Sequence, residues 1–337
     1  MSDTKRRGLA GGLFPALVLA AVVARLLMVW LLPPLLDVYY YDAQAASAIL
    51  SGVDPYGLAY VGIPSWLATP DASNVFAYLP GVVLFLAPFG AVWDIRLGLV
   101  FADVIVGLGI RSLGGRRART ASLLFLLLPF TALFSTSYPN NMLVATAFVA
   151  IAVALWVRGR PGVASAMLGV GLASSQFVWL FYPLFLAWSL RSRRFDQIAI
   201  QLAVAAALVF PFALWNWSSF TYDAIVFQFT RAPRAVVSAA AFGFNVNLTL
   251  SGIARTLFGS TVPVLLRAAI TAAGVLYAAL KTRDLPSVLL NGSLLMLLVV
   301  FVLPDDLSWW YLEFPFTTFL MWIAMAKGAA DAPPPKA

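Results

Sequence analysis

Polar and apolar positions along this chain fall into long blocks instead of the short alternations of a soluble fold. Lys5, Arg6 and Arg7 precede an apolar run from Leu9 to Leu36. That run exceeds the core of about 7 to 15 residues found in a signal peptide, so it predicts a first transmembrane helix. Residues 37–74 are the longest polar stretch and predict a large first outer loop. Within it, Ala43, Ala46, Ile49 and Leu50 stand at helical spacing, which predicts a short amphipathic helix over 42–50 lying on the membrane surface. Gly52 and Pro55 end it. Apolar segments at 97–113, 120–134, 142–157, 162–176, 177–190, 196–217, 262–280, 285–303 and 308–326 follow, giving ten predicted spans with the first.

The segment 76–93 is apolar enough to span but contains Pro80 and Pro88. Basic clusters settle its reading. If it spans, Arg116, Arg117, Arg119, Arg158, Arg160, Arg191, Arg193 and Arg194 all fall outside. If it is a surface or re-entrant element, they join Lys281, Arg283 and Lys327 on the inside, as the positive-inside rule requires. Both termini are then expected in the cytoplasm. The chain reads as one transmembrane domain, 1–328, with outer loops at 37–96 and 218–261 and a disordered cytoplasmic tail at 329–337.

Composition agrees with this pattern and narrows the chemistry. The 337 residues are 62% hydrophobic and 11% charged, against about 25% charged in a soluble domain. Cysteine and histidine are absent, which excludes thiol nucleophiles, disulfides and histidine bases. Any catalytic base is therefore a carboxylate, from 13 Asp and one Glu. Net charge is +8, but in a membrane protein its sidedness matters more than its sum, and nothing in it suggests nucleic acid. On the predicted outer face stand Asp37, Asp42, Asp54, Asp71, Asp94, Asp223, Asp305 and Asp306, opposed by Arg96, Arg231, Arg234 and Arg255.

In the first outer loop, Asp37-Val-Tyr-Tyr40-Tyr-Asp42 is followed by Ser51-Gly52-Val-Asp54-Pro55-Tyr56 and by Phe76-Ala-Tyr78-Leu-Pro80, running to Ala87-Pro88. This order resembles GT-C glycosyltransferases, in particular the polyprenyl-phosphate-mannose-dependent mannosyltransferases of glycosyltransferase family 87 and the first mannosyltransferase of the glycolipid-anchor pathway. The similarity extends to Asp103, Leu128-Pro129, Ser137-Tyr-Pro-Asn140-Asn141, Gly171-Leu-Ala-Ser-Ser-Gln176, Tyr182-Pro183, Phe229-Thr-Arg231 and Trp309-Trp-Tyr311. Where the anchor-pathway enzymes carry Asp-x-Asp, this chain has Asp37 and Asp42, five positions apart. Where they tend to have a Lys, it has Gln176-Phe-Val.

The resemblance implies an all-α GT-C-like bundle of about ten spans. It also implies inverting transfer of a sugar, mannose first, from a polyprenyl-phosphate donor to a lipid or glycan acceptor on the extracytoplasmic face. Such a reaction needs a carboxylate to take the acceptor proton and cations for the departing phosphate. Asp37 is the candidate base. Asp42 is a second acid, or the N-cap of the surface helix. Arg231, Arg234, Arg255 and Arg267 are the candidates for the donor phosphate, with snorkelling to headgroups the alternative for the last two. Tyr40, Asn140, Asn141, Gln176, Asp305 and Asp306 are candidates for sugar hydroxyls, although helix ends and loops explain the Asn, Gln and Asp residues equally well. Asp54 reads as a turn, Tyr56 as packing on the membrane surface, and Arg25 with Asp103 as a mutual buried pair. Asp94 and Arg96 are expected to line the same cavity. No cofactor is indicated, though a divalent cation is compatible. A transporter or flippase of lipid-linked sugars and a non-catalytic membrane scaffold are the alternative classes.

Overall fold

The structure, a computed structural model, describes residues 3–64, 75–227, 248–304 and 309–326. It is all-helical, 78% helix with no strand among the described residues. The helices are α1 Asp3–Leu31, α2 Asp37–Leu50, α3 Pro80–Val92, α4 Arg96–Arg111, α5 Gly115–Leu127, α6 Pro129–Ser135, α7 Met142–Val157, α8 Pro161–Leu172, α9 Gln176–Arg191, α10 Phe195–Trp215, α11 Trp217–Thr221, α12 Leu250–Phe258, α13 Val264–Lys281, α14 Leu285–Val302 and α15 Glu313–Met325. A π-turn, Tyr222–Val226, continues α11.

Local chemistry sets many of these ends. Pro80, Pro129 and Pro161 open α3, α6 and α8 at the first helical position, where the missing N–H is no loss. Asp284 and Ser287 form a capping box at the start of α14. Pro129 also forces Leu128 into an extended conformation. As a result α5 and α6 meet at a bend of 60°.

Four helical stretches are long and apolar enough to cross a membrane: Leu13–Leu31 of α1, α10, α13 and α14. The bent pair α5–α6 makes a fifth if it is one span. Each of the ten apolar segments read from the sequence is occupied by helix, but several helices are shorter than a full crossing. The 16 residues of α7 reach about 24 Å at 1.5 Å per residue. The segment 76–93 holds only the 13-residue α3, which packs on α2 and α4.

Two kinds of helix follow from these patterns. Helix α7 is apolar all round and buried nearly throughout, packed by α4, α8 and α15. By contrast α1, α10 and α13 leave broad apolar faces uncovered, including Leu19, Trp30 and Leu31, then Phe210 and Leu214, then Leu265, Leu276 and Leu280. Apolar surface on this scale is compatible with lipid, not water. Inside the bundle close approach depends on small residues. A Cβ added at Gly292 of α14 would lie within the ring of Phe181 on α9.

Contacts sort the helix ends into two groups. At one end the basic loops hold each other: Arg117 donates to the Ala326 carbonyl at 2.7 Å, Arg191 to that of Leu280 at 2.9 Å, and Arg111 and Arg119 lie over the Phe14 ring. At the other end lie α2, α3, the start of α7 and the start of α15, where the acids collect.

Candidate functional site

Helix α2 begins five residues before the predicted start. Leu36 is extended, and Asp37 occupies the first turn, its Oδ1 accepting the Val38 N–H at 3.0 Å. An acid there faces the positive end of the helix dipole. The expectation that Asp42 caps this helix is therefore corrected: Asp42 lies within the second turn. Asp37, Tyr41, Asp42, Ala45 and Ala46 form the buried face, so α2 turns two carboxylates into the protein.

The loop between α6 and α7 supplies their partners. Asn141 Nδ2 donates to Asp42 Oδ1 at 3.2 Å. Its neighbour Asn140 accepts the Met142 N–H at 3.2 Å with Oδ1, closing the first turn of α7, and donates through Nδ2 to Glu313 Oε2 at 3.0 Å. Adjacent amides thus tie two carboxylates, from α2 and α15, to the start of α7. The other oxygens, Asp42 Oδ2 and Glu313 Oε1, have no hydrogen-bond partner among the described residues, although both side chains are fully buried. Burial pushes the Asp42 carboxyl well above its ordinary range. Asn141 opposes that shift, and the charge of Asp37 adds to it.

The loop after α2 is packed against this face. Gln44 of α2 bonds both backbone groups of Val61, donating at 2.9 Å and accepting at 3.1 Å. The Asp54 carboxylate accepts the Tyr56 N–H at 3.0 Å, the expected turn. Tyr56 does not lie on the membrane surface. It is buried among Phe76, Phe212 and Phe220, with its hydroxyl on the Tyr78 carbonyl at 2.8 Å. Asp223, in the π-turn, accepts the Gly57 N–H at 3.0 Å. Gly57 has a φ of +78°, and a Cβ there would strike Ser219. Burial raises the carboxyls of Asp54 and Asp223 and the hydroxyl of Tyr60.

Other candidates serve different roles. Gln176 donates to the Ala77 carbonyl at 3.1 Å and the Ala224 carbonyl at 2.9 Å, joining the approach to α3, the start of α9 and the π-turn. Arg267 donates to the carbonyls of Val262 and Leu303, at 3.1 and 2.5 Å, and is buried. Arg255 is exposed near the end of α12, and Tyr40 is half-buried with its ring edge-on to Tyr39. Arg231, Arg234, Asp305 and Asp306 lie outside the described residues.

Arg25 and Asp103 do pair, and the rest of the guanidinium bonds the Leu126 carbonyl at 2.8 Å and the Thr131 hydroxyl at 3.1 Å. Arg96 pairs with Asp94 at 2.7 Å and also donates to the carbonyls of Val29 and Leu32 at the end of α1. This second pair locks α1 to α4. Glu313 is the site residue that sequence reasoning left unplaced. Its signal was present, because it is the only glutamate and opens an apolar helix. Among the described residues no three carboxylates converge as a metal site would need. Neither the protein-family models nor the curated proteins show a match to this chain.

Proposed function

We propose that this chain is a GT-C-like membrane glycosyltransferase of ten spans with both termini in the cytoplasm. In this reading it transfers a sugar, mannose in the first instance, from a polyprenyl phosphate to a lipid or glycan acceptor on the extracytoplasmic face. The observation that carries the reading is the buried face of α2. Asp37 and Asp42 point into the acidic end of the bundle, and Asp42 keeps one oxygen without a partner among the described residues.

A carboxylate with a raised pKa and an open lone pair is suited to taking a proton near neutral pH. The acceptor hydroxyl gives its proton to this carboxylate as its oxygen attacks the anomeric carbon. The bond from that carbon to the phosphate oxygen breaks, and the phosphate leaves with the electron pair. One displacement inverts the anomeric centre. The role assigned to Asp37 from sequence extends to Asp42, whose free oxygen makes it the stronger candidate. Glu313, held by Asn140, stands beside the same helix start. Arg231 and Arg234 remain the proposed partners of the departing phosphate.

The test uses the full-length protein in proteoliposomes with a polyprenyl-phosphate-mannose donor. Asp37→Asn and Asp42→Asn proteins that insert normally should each lose transfer, the base more severely. Parent-like transfer by both sinks the proposal. Sugar translocated without a glycosidic bond being formed would favour the flippase.

A further inference from the structure

Asn140 is held from three sides. Its N–H donates to the Phe134 carbonyl at 2.9 Å, its Oδ1 accepts the Met142 N–H at 3.2 Å, and its Nδ2 donates to Glu313 Oε2 at 3.0 Å. Of these three partners, Glu313 comes from the most distant part of the chain. It is the first residue of α15, fully buried and 173 positions away. With its NH2 group spent on Glu313, the amide presents its oxygen to the Met142 N–H and closes the turn that opens α7.

Asn141 follows directly, and its side chain makes the bond to Asp42 Oδ1 at 3.2 Å. That distance is the long end of an N–H···O bond, so a shift of the 140–141 backbone by about half an ångström takes it out of range. The titratable groups facing Asp42 among the described residues are Asp37 on its own helix and Tyr60 in the loop that follows. Helix α3, which packs on α2, carries none. The Asn141 bond draws the Asp42 carboxyl back toward its ordinary range, and losing it raises the pH at which Asp42 takes up a proton.

We infer that Glu313 is a positioning residue for Asp42: through Asn140 it fixes the start of α7, so that Asn141 meets the carboxylate of the base. This rests on the reading of Asp42 as base of the sugar transfer. In this role Glu313 touches no reacting atom. What the position requires is an acceptor oxygen at the end of a side chain of this length, which Glu313→Gln keeps and Glu313→Leu removes.

Full-length variants in proteoliposomes decide it. Glu313→Leu should lower kcat roughly tenfold, within the roughly 100-fold that a 1 Å misplacement can cost, leave the donor KM unchanged and move the acid limb of the transfer profile to higher pH. Glu313→Gln should stay within about twofold of the parent. Asn141→Ala with Glu313→Leu should be no slower than Asn141→Ala alone, because both cut one chain of contacts. Asn140→Ala cuts it from the other side and should move the limb the same way, which keeps the test open if Glu313→Leu does not insert. Melts across the acid range read Asp42 without sugar transfer. Glu313→Leu and Glu313→Gln both lack the carboxyl at 313, so the difference between their curves belongs to Asp42, whose acid-side stabilisation should persist to higher pH in Glu313→Leu. Coincident curves or an unmoved acid limb overturn the inference. So does Glu313→Gln as slow as Glu313→Leu, which would put Glu313 itself in the chemistry. Parent-like transfer by Asp42→Asn is a failure of the base reading alone, told apart because the melting curves of the two Glu313 variants then still differ.

Discussion

Between α1, α4 and the α5–α6 bend, Asp103 meets the guanidinium of Arg25, which also bonds Leu126 and Thr131. At the start of α7, Asp42 and Glu313 are equally buried, and their partners among the described residues are the carboxamides of Asn141 and Asn140. The first arrangement neutralises a charge and joins helices. An amide supplies a hydrogen bond and no countercharge, so among the described residues the second leaves two carboxylates with no cation paired to them. A buried charge without a partner is costly, and keeping two of them together is difficult to explain by stability alone. This contrast separates a pair that joins helices from the carboxylates to which the proposed function assigns chemistry.

The largest test of the contrast is Arg25→Ala. Removing one partner of a buried pair leaves Asp103 uncompensated and should cost about 3–5 kcal/mol, read by thermal unfolding in detergent, whereas Arg25→Met with Asp103→Leu should recover most of it. A neutral Arg25→Ala would erase the distinction. Asp42→Asn should behave in the opposite way, with sugar transfer falling about 100-fold or more and the melting temperature equal to the parent's or higher. A stability loss as large as that of Arg25→Ala would make Asp42 structural.

Smaller effects sharpen the comparison. Gln176→Leu removes the hydrogen bonds to the Ala77 and Ala224 carbonyls and should cost about 1–3 kcal/mol without changing the pH dependence of transfer. The pH dependence itself belongs to Asp42. Its folded pKa lies above the ordinary 3.8, so the folded state holds a proton that the unfolded state releases. This contribution to stability is complete below the unfolded value and is lost as pH rises through the folded one. Asp42→Asn should flatten that slope in melts taken across the acid range. Asn141→Ala removes a hydrogen bond that lowers the Asp42 pKa and should move the acid limb of the transfer profile to higher pH.

Particular residues show how far the chain could be read in advance. Apolar blocks placed the helices, because burial in lipid or in a bundle demands contiguous apolar sequence. The Arg25–Asp103 pair followed from two ionisable residues in apolar runs. Asp42 was harder: its local context allowed a cap, and only the helix beginning at Asp37 excludes it. Gln176 looked like a free amide at a helix end, but folding brings the Ala77 and Ala224 carbonyls to it from 99 and 48 positions away. Glu313 carried a signal, as the only glutamate and in an apolar segment, but nothing local pointed to Asn140 as its partner.

The sequence alone determined that this protein is helical and apolar, that it has no histidine or cysteine, and which loops are basic. Those properties depend on residue type and short-range periodicity. Tertiary structure alone decided which carboxylates meet a guanidinium and which meet an amide among the described residues. A countercharge or an amide reaches a carboxylate through space, and Asn141 meets Asp42 across 99 positions while Asn140 meets Glu313 across 173. No local pattern encodes such pairings. They arise where α2, α7 and α15 end at the same place.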